Sequence, residues 1–386
     1  MAKWTLEEDK KLRENLGNYT YQELSKLLNR SYSSVGKRIE RLGLTHTVTK
    51  KEQVTEAKQG RSELYAEIFD GFKNVFLNYK PTLEPIKTLE NYSKNKKVEI
   101  ANLIISDVHL GKLNKIYYPP VQREIETYND AIFKKMFKRF YNSILEIYTL
   151  QKQSYYYEQL NIYLLGDLID GDGYVFEGQE FKVTKVVGQQ MWDAIFDFHF
   201  LIRELTKLYP KINVFGLVGN HSMPSTNRKA DIPVENYLEY HIYKTLKTMF
   251  ELEKNKKVNF VVPTSRYYST KVYNHMIYMT HGDETGGGAK TTRIRKAKDT
   301  YINLPEEKYD VYLLGHFHSL EKDPIGDKGV LMTNGAWIPF DDYARKLYGI
   351  YTEPKQWFFS SNKTRPITWA FEVDFKGTKL SEGLIL

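Results

Sequence analysis

Hydrophobic and polar positions along this chain fall into two regimes separated by a poorly patterned stretch. Over residues 1–44 apolar side chains recur at helical spacing in short runs. Leu12 and Leu16 continue a stripe from Trp4; Leu24, Leu27 and Leu28 share a second face; Val35, Ile39 and Leu42 share a third. Each run has a start signal. Thr5-Leu-Glu-Glu8 and Thr20-Tyr-Gln-Glu23 are capping boxes, and Ser33 or Ser34 is placed to cap the third run, which Gly43 ends. Gly17-Asn18 and Asn29-Arg30-Ser31 break the runs, so three short capped helices joined by tight turns are expected. Residues 45–61 are polar without a period and read as a linker. Leu64, Ile68, Phe69, Phe72, Val75 and Phe76 predict a helix, and Pro81 and Pro85 interrupt the stretch beyond it. The expected organisation is a helical unit over 1–44, a linker carrying a helix over 45–97, and one large domain over 98–386.

From residue 98 onward strand-like and helix-like segments alternate. Helical spacing covers 128–150, with Ile132, Met136, Phe137, Phe140 and Ile144 inward, and also 189–208 and 234–252. After residue 257 short strand-like runs dominate: 258–262, 267–273, 276–280, 311–314 and 369–375. This pattern predicts an α/β domain whose second half is richer in strands. No internal repeat is visible.

Several apolar runs end in residues that bind metal ions. Ile100 to Ile105 runs into Ser106, Asp107, Val108 and His109. Tyr163-Leu-Leu-Gly-Asp167 is followed by Asp170. Val214-Phe-Gly-Leu-Val-Gly-Asn-His221 ends in Asn220 and His221, His275 to Thr280 ends in His281, and Val311-Tyr-Leu-Leu-Gly-His-Phe-His318 ends in His316 and His318. Side chains two apart at a strand end point to the same side, so a carboxylate and an imidazole so placed can share one ion. One such segment reads equally well as a capping acid beside a surface histidine. Five of them, in a chain with only 9 histidines, do not.

The ordered set Asp-x-His, Gly-Asp-x-x-Asp, Gly-Asn-His, His-Gly and Gly-His-x-His resembles the calcineurin-like metallophosphoesterase superfamily over roughly residues 98–340, and at motif level its DNA-repair exonuclease branch. The resemblance implies an α/β fold, a four-layer β-sandwich flanked by helices. It implies two divalent metal ions, one held by Asp107, His109 and His318, the other by Asn220, His281 and His316. Asp167 would bridge them, and His221 would protonate the leaving oxygen or steady the phosphate. Asp170 is expected to hydrogen-bond within its loop. The departure is Ser222, where many members carry Asp or Glu that orients the histidine. A phosphodiester resists attack because its charge repels nucleophiles and its leaving alkoxide is poor. Two ions about 4 Å apart address both problems. With oxygen and nitrogen ligands only, manganese suits best, with iron or zinc as alternatives.

Composition narrows the picture. No cysteine is present, which excludes disulfides and thiolate ligands, while 41% hydrophobic and 27% charged residues are those of a globular protein. The chain opens Met-Ala-Lys-Trp without an apolar signal region, and no stretch approaches the ~20 apolar residues of a membrane span. The expectation is a cytoplasmic protein with no membrane partner. A net charge of +8 favours a polyanionic partner, although a Lys-rich chain has the same excess. The first 44 residues resemble Myb/SANT-like helix-turn-helix units. This makes DNA the expected partner, with Lys37, Arg38 and Arg41 of the third helix on phosphates or base edges. The glycine-rich stretch 286–298 carries Lys290, Arg293, Arg295 and Lys296, which can hold a nucleic-acid backbone or form a solvated basic helix. Arg228 and Lys229 can act likewise. A metal-dependent phosphodiesterase acting on DNA is the first reading. The alternatives are a phosphomonoesterase for phosphoproteins or nucleotides, and a DNA-bound regulatory factor with a weak metal site. The repair-exonuclease branch works with a partner ATPase, for which this sequence carries no signal, and nothing in it fixes the oligomeric state.

Overall fold

The structure is a computed structural model that describes residues 4–44, 96–118, 122–172, 176, 178–225, 232–285, 309–325, 328–340 and 353–375. The helix expected over 64–76, the basic stretch 286–298, and Arg228 with Lys229 lie outside these residues. The chain divides into two units, Met1–Asn78 and Tyr79–Leu386.

In the first unit the described residues form α1 (Leu6–Asn15), α2 (Tyr21–Leu27) and α3 (Tyr32–Arg41). Thr5 and Thr20 make reciprocal capping boxes with Glu8 and Glu23. The third cap is Ser31, whose side chain accepts from the Ser34 N–H, so the cap lies two residues ahead of Ser33 and three ahead of Ser34, the two expected positions. The tight turn permits this because Asn29 adopts a positive φ of 46°. Leu12, Leu16, Leu24, Leu28, Val35 and Ile39 form the core, flanked by Trp4, Tyr21, Leu42 and Leu44. Leu27, expected on the inner face, is exposed.

The second unit is a mixed α/β structure of two large sheets, flanking helices and a small hairpin. Its strands are β1 (Lys97–Ile105), β2 (Asn114–Tyr118), β3 (Arg123–Tyr128), β4 (Tyr155–Leu164), β5 (Ile212–Gly216), β6 (Val258–Val261) and β7 (Tyr267–Val272). They continue as β8 (His275–Thr280), β9 (Val311–Leu314), β10 (Glu321–Ile325), β11 (Gly329–Thr333), β12 (Lys355–Ser361) and β13 (Trp369–Asp374). One sheet has the order β13-β12-β1-β4-β5-β6, the other β10-β11-β9-β8-β7, and β2 pairs with β3. β1, β4, β5 and β6 run parallel, with Ile105 opposite Leu164 and Leu164 opposite Gly216. β8 and β9 are parallel neighbours too, with Thr280 opposite Leu314.

Among the described residues one apolar cluster joins the two sheets. Ile100, Ile104, Tyr163, Phe215 and Phe359 come from the first, and Ile277, Met279, Val311, Leu313 and Met332 from the second. Strands buried on both faces read as continuous apolar runs, which is why β1 is buried from Ile100 to Ile105. The helices are α4 (Asp130–Gln151), α5 (Val187–Leu205) and α6 (Leu238–Leu252). Phe137 of α4 meets Phe198 of α5, His199 of α5 meets Phe250 of α6, and Phe250 meets Phe260 of β6. A helical layer, a six-stranded sheet and a five-stranded sheet are therefore described. A fourth layer, expected from the sequence, is not among the described residues. None of the described helices is long and apolar enough to cross a membrane.

Candidate metal centre and active site

Parallel neighbours deliver their following loops to the same edge of a sheet, the usual place for a ligand site in α/β folds. Asp107 and His109 follow β1, Asp167 and Asp170 follow β4, and Asn220 and His221 follow β5. From the second sheet, His281 follows β8, and His316 and His318 follow β9. Backbone hydrogen bonds lock these loops together. Asp107 N–H donates to the Gly166 carbonyl (3.1 Å), His109 N–H to the Asp167 carbonyl (2.9 Å), and Gly315 N–H to the His281 carbonyl (3.0 Å). The Asp107 carboxylate accepts the His316 N–H (2.9 Å), which ties the two sheets at the site.

The local backbone is unusual. Ten described non-glycine residues have positive φ, and five of them are Asp107, His109, Asp167, His316 and His318. Such conformations cost about 1–3 kcal/mol each and persist where the surroundings dictate them. The glycines at these strand ends permit the crowding. A Cβ on Gly219 would stand 2.1 Å from Asp167 Oδ1, and one on Gly166, at φ +85°, would stand 2.5 Å from the Gly219 nitrogen.

Two donor groups result. In the first, Asp107, His109 and His318 have ligand atoms within 4.8 Å of one another. His109 Nδ1 lies 3.0 Å from Asp170 Oδ1; a carboxylate only accepts, so Nδ1 carries the proton. His109 Nε2 is then bare, 3.1 Å from His318 Nε2, which lies 3.4 Å from Asp107 Oδ1. Burial, aided by the neighbouring His221, lowers His109 to about 4, so its ring is neutral.

The second group is Asp167, His281 and His316, joined by Asn220. His281 Nδ1 lies 2.7 Å from the Leu165 carbonyl and must donate to it. Its Nε2 therefore faces Asp167 Oδ2 at 3.0 Å and Asn220 Oδ1 at 3.1 Å. Burial lowers the basicity of this ring, but the charge of Asp167 and its hydrogen bond override that and raise it to about 10. Burial alone would raise Asp167, yet the His281 and His221 charges hold it well below the usual carboxylate range.

The first group thus presents converging lone pairs, and the second would do so once a cation displaced the proton that the charge of Asp167 holds on His281 Nε2; all six side chains are buried but His316, which is half-buried. Each anchoring histidine gives its other ring N–H to an acceptor, Asp170 or the Leu165 carbonyl, as metal-binding histidines do. The donor set of carboxylate, amide and imidazole therefore fits divalent ions.

His221 sits at the edge of the first group. Its ring meets that of His109 edge-on, with centroids 4.4 Å apart, and Phe176 lies against it at 4.6 Å. Nδ1 donates to the Asp170 carbonyl (2.7 Å) and stands 3.5 Å from Asp170 Oδ1. The Gln179 amide reaches both Asp170 Oδ2 (3.1 Å) and His221 Nδ1 (3.1 Å). Asp170 is therefore shared by His109 and His221, which goes beyond the local loop role expected for it. Ser222 does not touch His221's ring. Its hydroxyl donates to the Gly219 carbonyl and to Glu239 Oε2, both at 3.0 Å. Burial and the nearby Asp167 push Glu239 up to about 7, against two backbone N–H groups that lower it. Gln179 and Glu239 are the site residues that strand-end spacing does not reveal.

In the first unit Lys37 and Arg41 are exposed on α3. Arg38 differs from the expectation of a free DNA contact. Its Nε donates to Asp9 Oδ1 (2.8 Å), its Nη2 to Asp9 Oδ2, and its guanidinium lies over Trp4 at 5.6 Å. Lys290, Arg293, Arg295 and Lys296 lie outside the described residues.

No family model matches the chain, and no curated protein is similar to it. Among solved structures it is similar to zinc-complexed Vps29 of Entamoeba histolytica, at 11% identity and a TM-score of 0.31 over 72% of this chain and 100% of that one. An archaeal phosphodiesterase is similar at 13% identity and a TM-score of 0.29, over 71% of this chain and 99% of that one. A predicted phosphoesterase from Streptococcus pneumoniae is similar at 10% identity and a TM-score of 0.28, over 71% and 98%. Likeness this weak decides neither fold nor activity, which leaves the functional reading to the motifs and the geometry of the site.

Proposed function

We propose that the chain is a metal-dependent phosphodiesterase of the metallophosphoesterase type that hydrolyses nucleic-acid phosphodiester bonds, and specifically a DNA nuclease. The observation that carries the reading is the convergence of two buried donor groups with a histidine at their edge. Asp107, His109 and His318 would hold one divalent ion, and Asn220, His281 and His316 the other, with Asp167 as the shared ligand. When bound, the ions would neutralise phosphate charge and lower the pKa of the attacking water. Manganese suits the oxygen and nitrogen ligands, as do iron and zinc.

The chain's own residues do the rest. Asp107 and Asp167 hold the loops in register by accepting the His316 and His221 backbone N–H groups. Asp170 fixes the tautomers of His109 and His221, accepting from the first through its carboxylate and from the second through its backbone carbonyl. With Nδ1 committed to Asp170, His221 Nε2 is the atom that would give a proton to the leaving oxygen. DNA as substrate is supported by the net charge of +8 and by exposed Lys37 and Arg41 on α3, which would follow the backbone in the manner of a helix-turn-helix.

The test is cleavage of linear and circular DNA, single- and double-stranded, by the purified protein with Mn²⁺. A chelator and Asp167→Asn are the controls. Cutting that both controls abolish supports the nuclease, and linear against circular sorts ends from interiors. A metal-loaded protein that cuts no DNA but releases phosphate from monoesters would replace this reading with a phosphatase.

A further inference from the structure

Glu239 is fully buried near the start of α6, and among the described residues it makes no ion pair, although the His281 charge acts on it. Both of its carboxylate oxygens are occupied by donors from the site loops. Oε1 accepts the Leu168 N–H at 2.5 Å, and Oε2 accepts the Gly219 N–H at 2.6 Å and the Ser222 hydroxyl at 3.0 Å. Leu168 follows Asp167, Gly219 precedes Asn220, and Ser222 follows His221. One side chain is therefore hydrogen-bonded to the immediate neighbours of three site residues. The helix that carries it is itself fixed to β5. Tyr243 donates to the Leu217 carbonyl at 2.9 Å, and its ring fills the space that a Cβ on Gly216 would need. The N-terminal turn of a helix also favours a negative charge, which helps this carboxylate remain in the interior.

We propose that Glu239 is the positioning residue that sets the spacing between the loop bearing Asp167 and the loop bearing Asn220 and His221. The inference rests on the reading of these residues as a metal centre. Its chemistry requires a carboxylate. A glutamine at 239 has one acceptor oxygen, so its NH₂ group would face either the Leu168 or the Gly219 N–H, donor against donor, and one loop would be released. Ser222 offers a way to return the carboxylate. Its hydroxyl already points at Glu239 Oε2, so an aspartate at 222 would extend toward the place left by truncation of Glu239.

The experiment is calorimetric titration of Mn²⁺ into full-length wild type, Glu239→Gln, Glu239→Ala, and Glu239→Ala combined with Ser222→Asp, with circular dichroism and melting temperature measured on each. The expected result for Glu239→Gln is a folded protein that loses about 10- to 100-fold in Mn²⁺ affinity, the range seen when partners of metal ligands are removed. The double variant is expected to recover a large part of what Glu239→Ala loses. A purely structural role would lower melting temperature in step with affinity and would show no rescue by Ser222→Asp. Wild type that binds Mn²⁺, with Glu239→Gln folded and binding equally well, would overturn this inference alone. Wild type that binds no divalent ion would overturn the metal reading and this inference with it.

Discussion

Alanine at Gly219 is the substitution whose effect can be worked most directly from the geometry. The added Cβ would lie 2.1 Å from Asp167 Oδ1, 2.5 Å from its backbone nitrogen and 2.8 Å from its Cγ. Heavy atoms pack comfortably at about 3.5 Å, so something must move by more than about 1 Å. Asp167 cannot turn aside freely, because its Oδ1 holds the His221 N–H at 3.0 Å and its own φ is already +54°. Overpacking of this kind costs about 1–3 kcal/mol. In a protein of this size each kcal/mol lowers the melting temperature by about 2–4 °C, for a fall of roughly 2–12 °C. A misplacement of about 1 Å at a ligand can also cost on the order of 100-fold in turnover. Gly188, in the first turn of α5, has no atom within 4 Å of its would-be Cβ, so alanine there is the control and should gain up to about 1 kcal/mol. Scanning calorimetry of both variants and Mn²⁺ titration of Gly219→Ala are the assays. A Gly219→Ala protein that melts with wild type and binds Mn²⁺ as tightly would refute the claim that these loops are packed to contact.

Reversing Lys37 and Arg41 to Glu should weaken DNA retention and reduce the slope of log affinity against log salt by about 2, with the helical content unchanged; an unaltered slope would remove α3 from the DNA reading. Arg38→Ala should instead loosen the first unit, since it leaves Asp9 without its bidentate partner and Trp4 with only Arg30 over its ring, and amide exchange in α1 and α3 should rise. Phe181 is 83% exposed on the short turn that also carries Gln179, so Phe181→Ala should keep the fold and raise KM for single-stranded DNA while sparing a small diester. Equal effects on both substrates would dismiss a stacking role. Burial, only partly offset by Lys134, raises Asp197 to about 6, so the folded chain takes up this proton before the unfolded chain does. Its charge thus costs stability above pH 6, and that cost fades as pH falls toward 4. Asp197→Asn should accordingly gain most in melting temperature over wild type at pH 7 and least at pH 4, and a pH-independent difference would contradict the assignment.

What the sequence makes legible is what is local. Each strand-end block carries its apolar run, its glycine and its ligand within eight residues or so, and the structure brings these blocks to one edge of the sheets. Partners supplied by helices are harder to read, because their role depends on packing that spacing does not encode. Glu239 did leave a trace. It lies on the same stripe as Ile242, Tyr243 and Leu246, an acid where α6 turns inward. Gln190 is a parallel case on α5, donating to the Gly171 carbonyl and accepting from Asp170 N–H. Strands β10, β11 and β12 escaped for other reasons. β10 contains Pro324, which an edge strand tolerates, and β12 is a buried run that ends in Ser360 and Ser361 beside polar partners. Arg38 shows the opposite failure. Its spacing off the apolar stripe marks it as solvent-facing, but Asp9 of α1 comes round to meet it.

The most direct test of the account is the metal content of the purified chain. Equilibrium dialysis against Mn²⁺, followed by elemental analysis, should find two ions per chain in wild type and a loss of one or both in Asp167→Asn, with the fold of the variant retained by circular dichroism. A wild type that retains no ion, or an Asp167→Asn protein that retains as many as wild type, would contradict the two-metal centre on which the proposed chemistry stands.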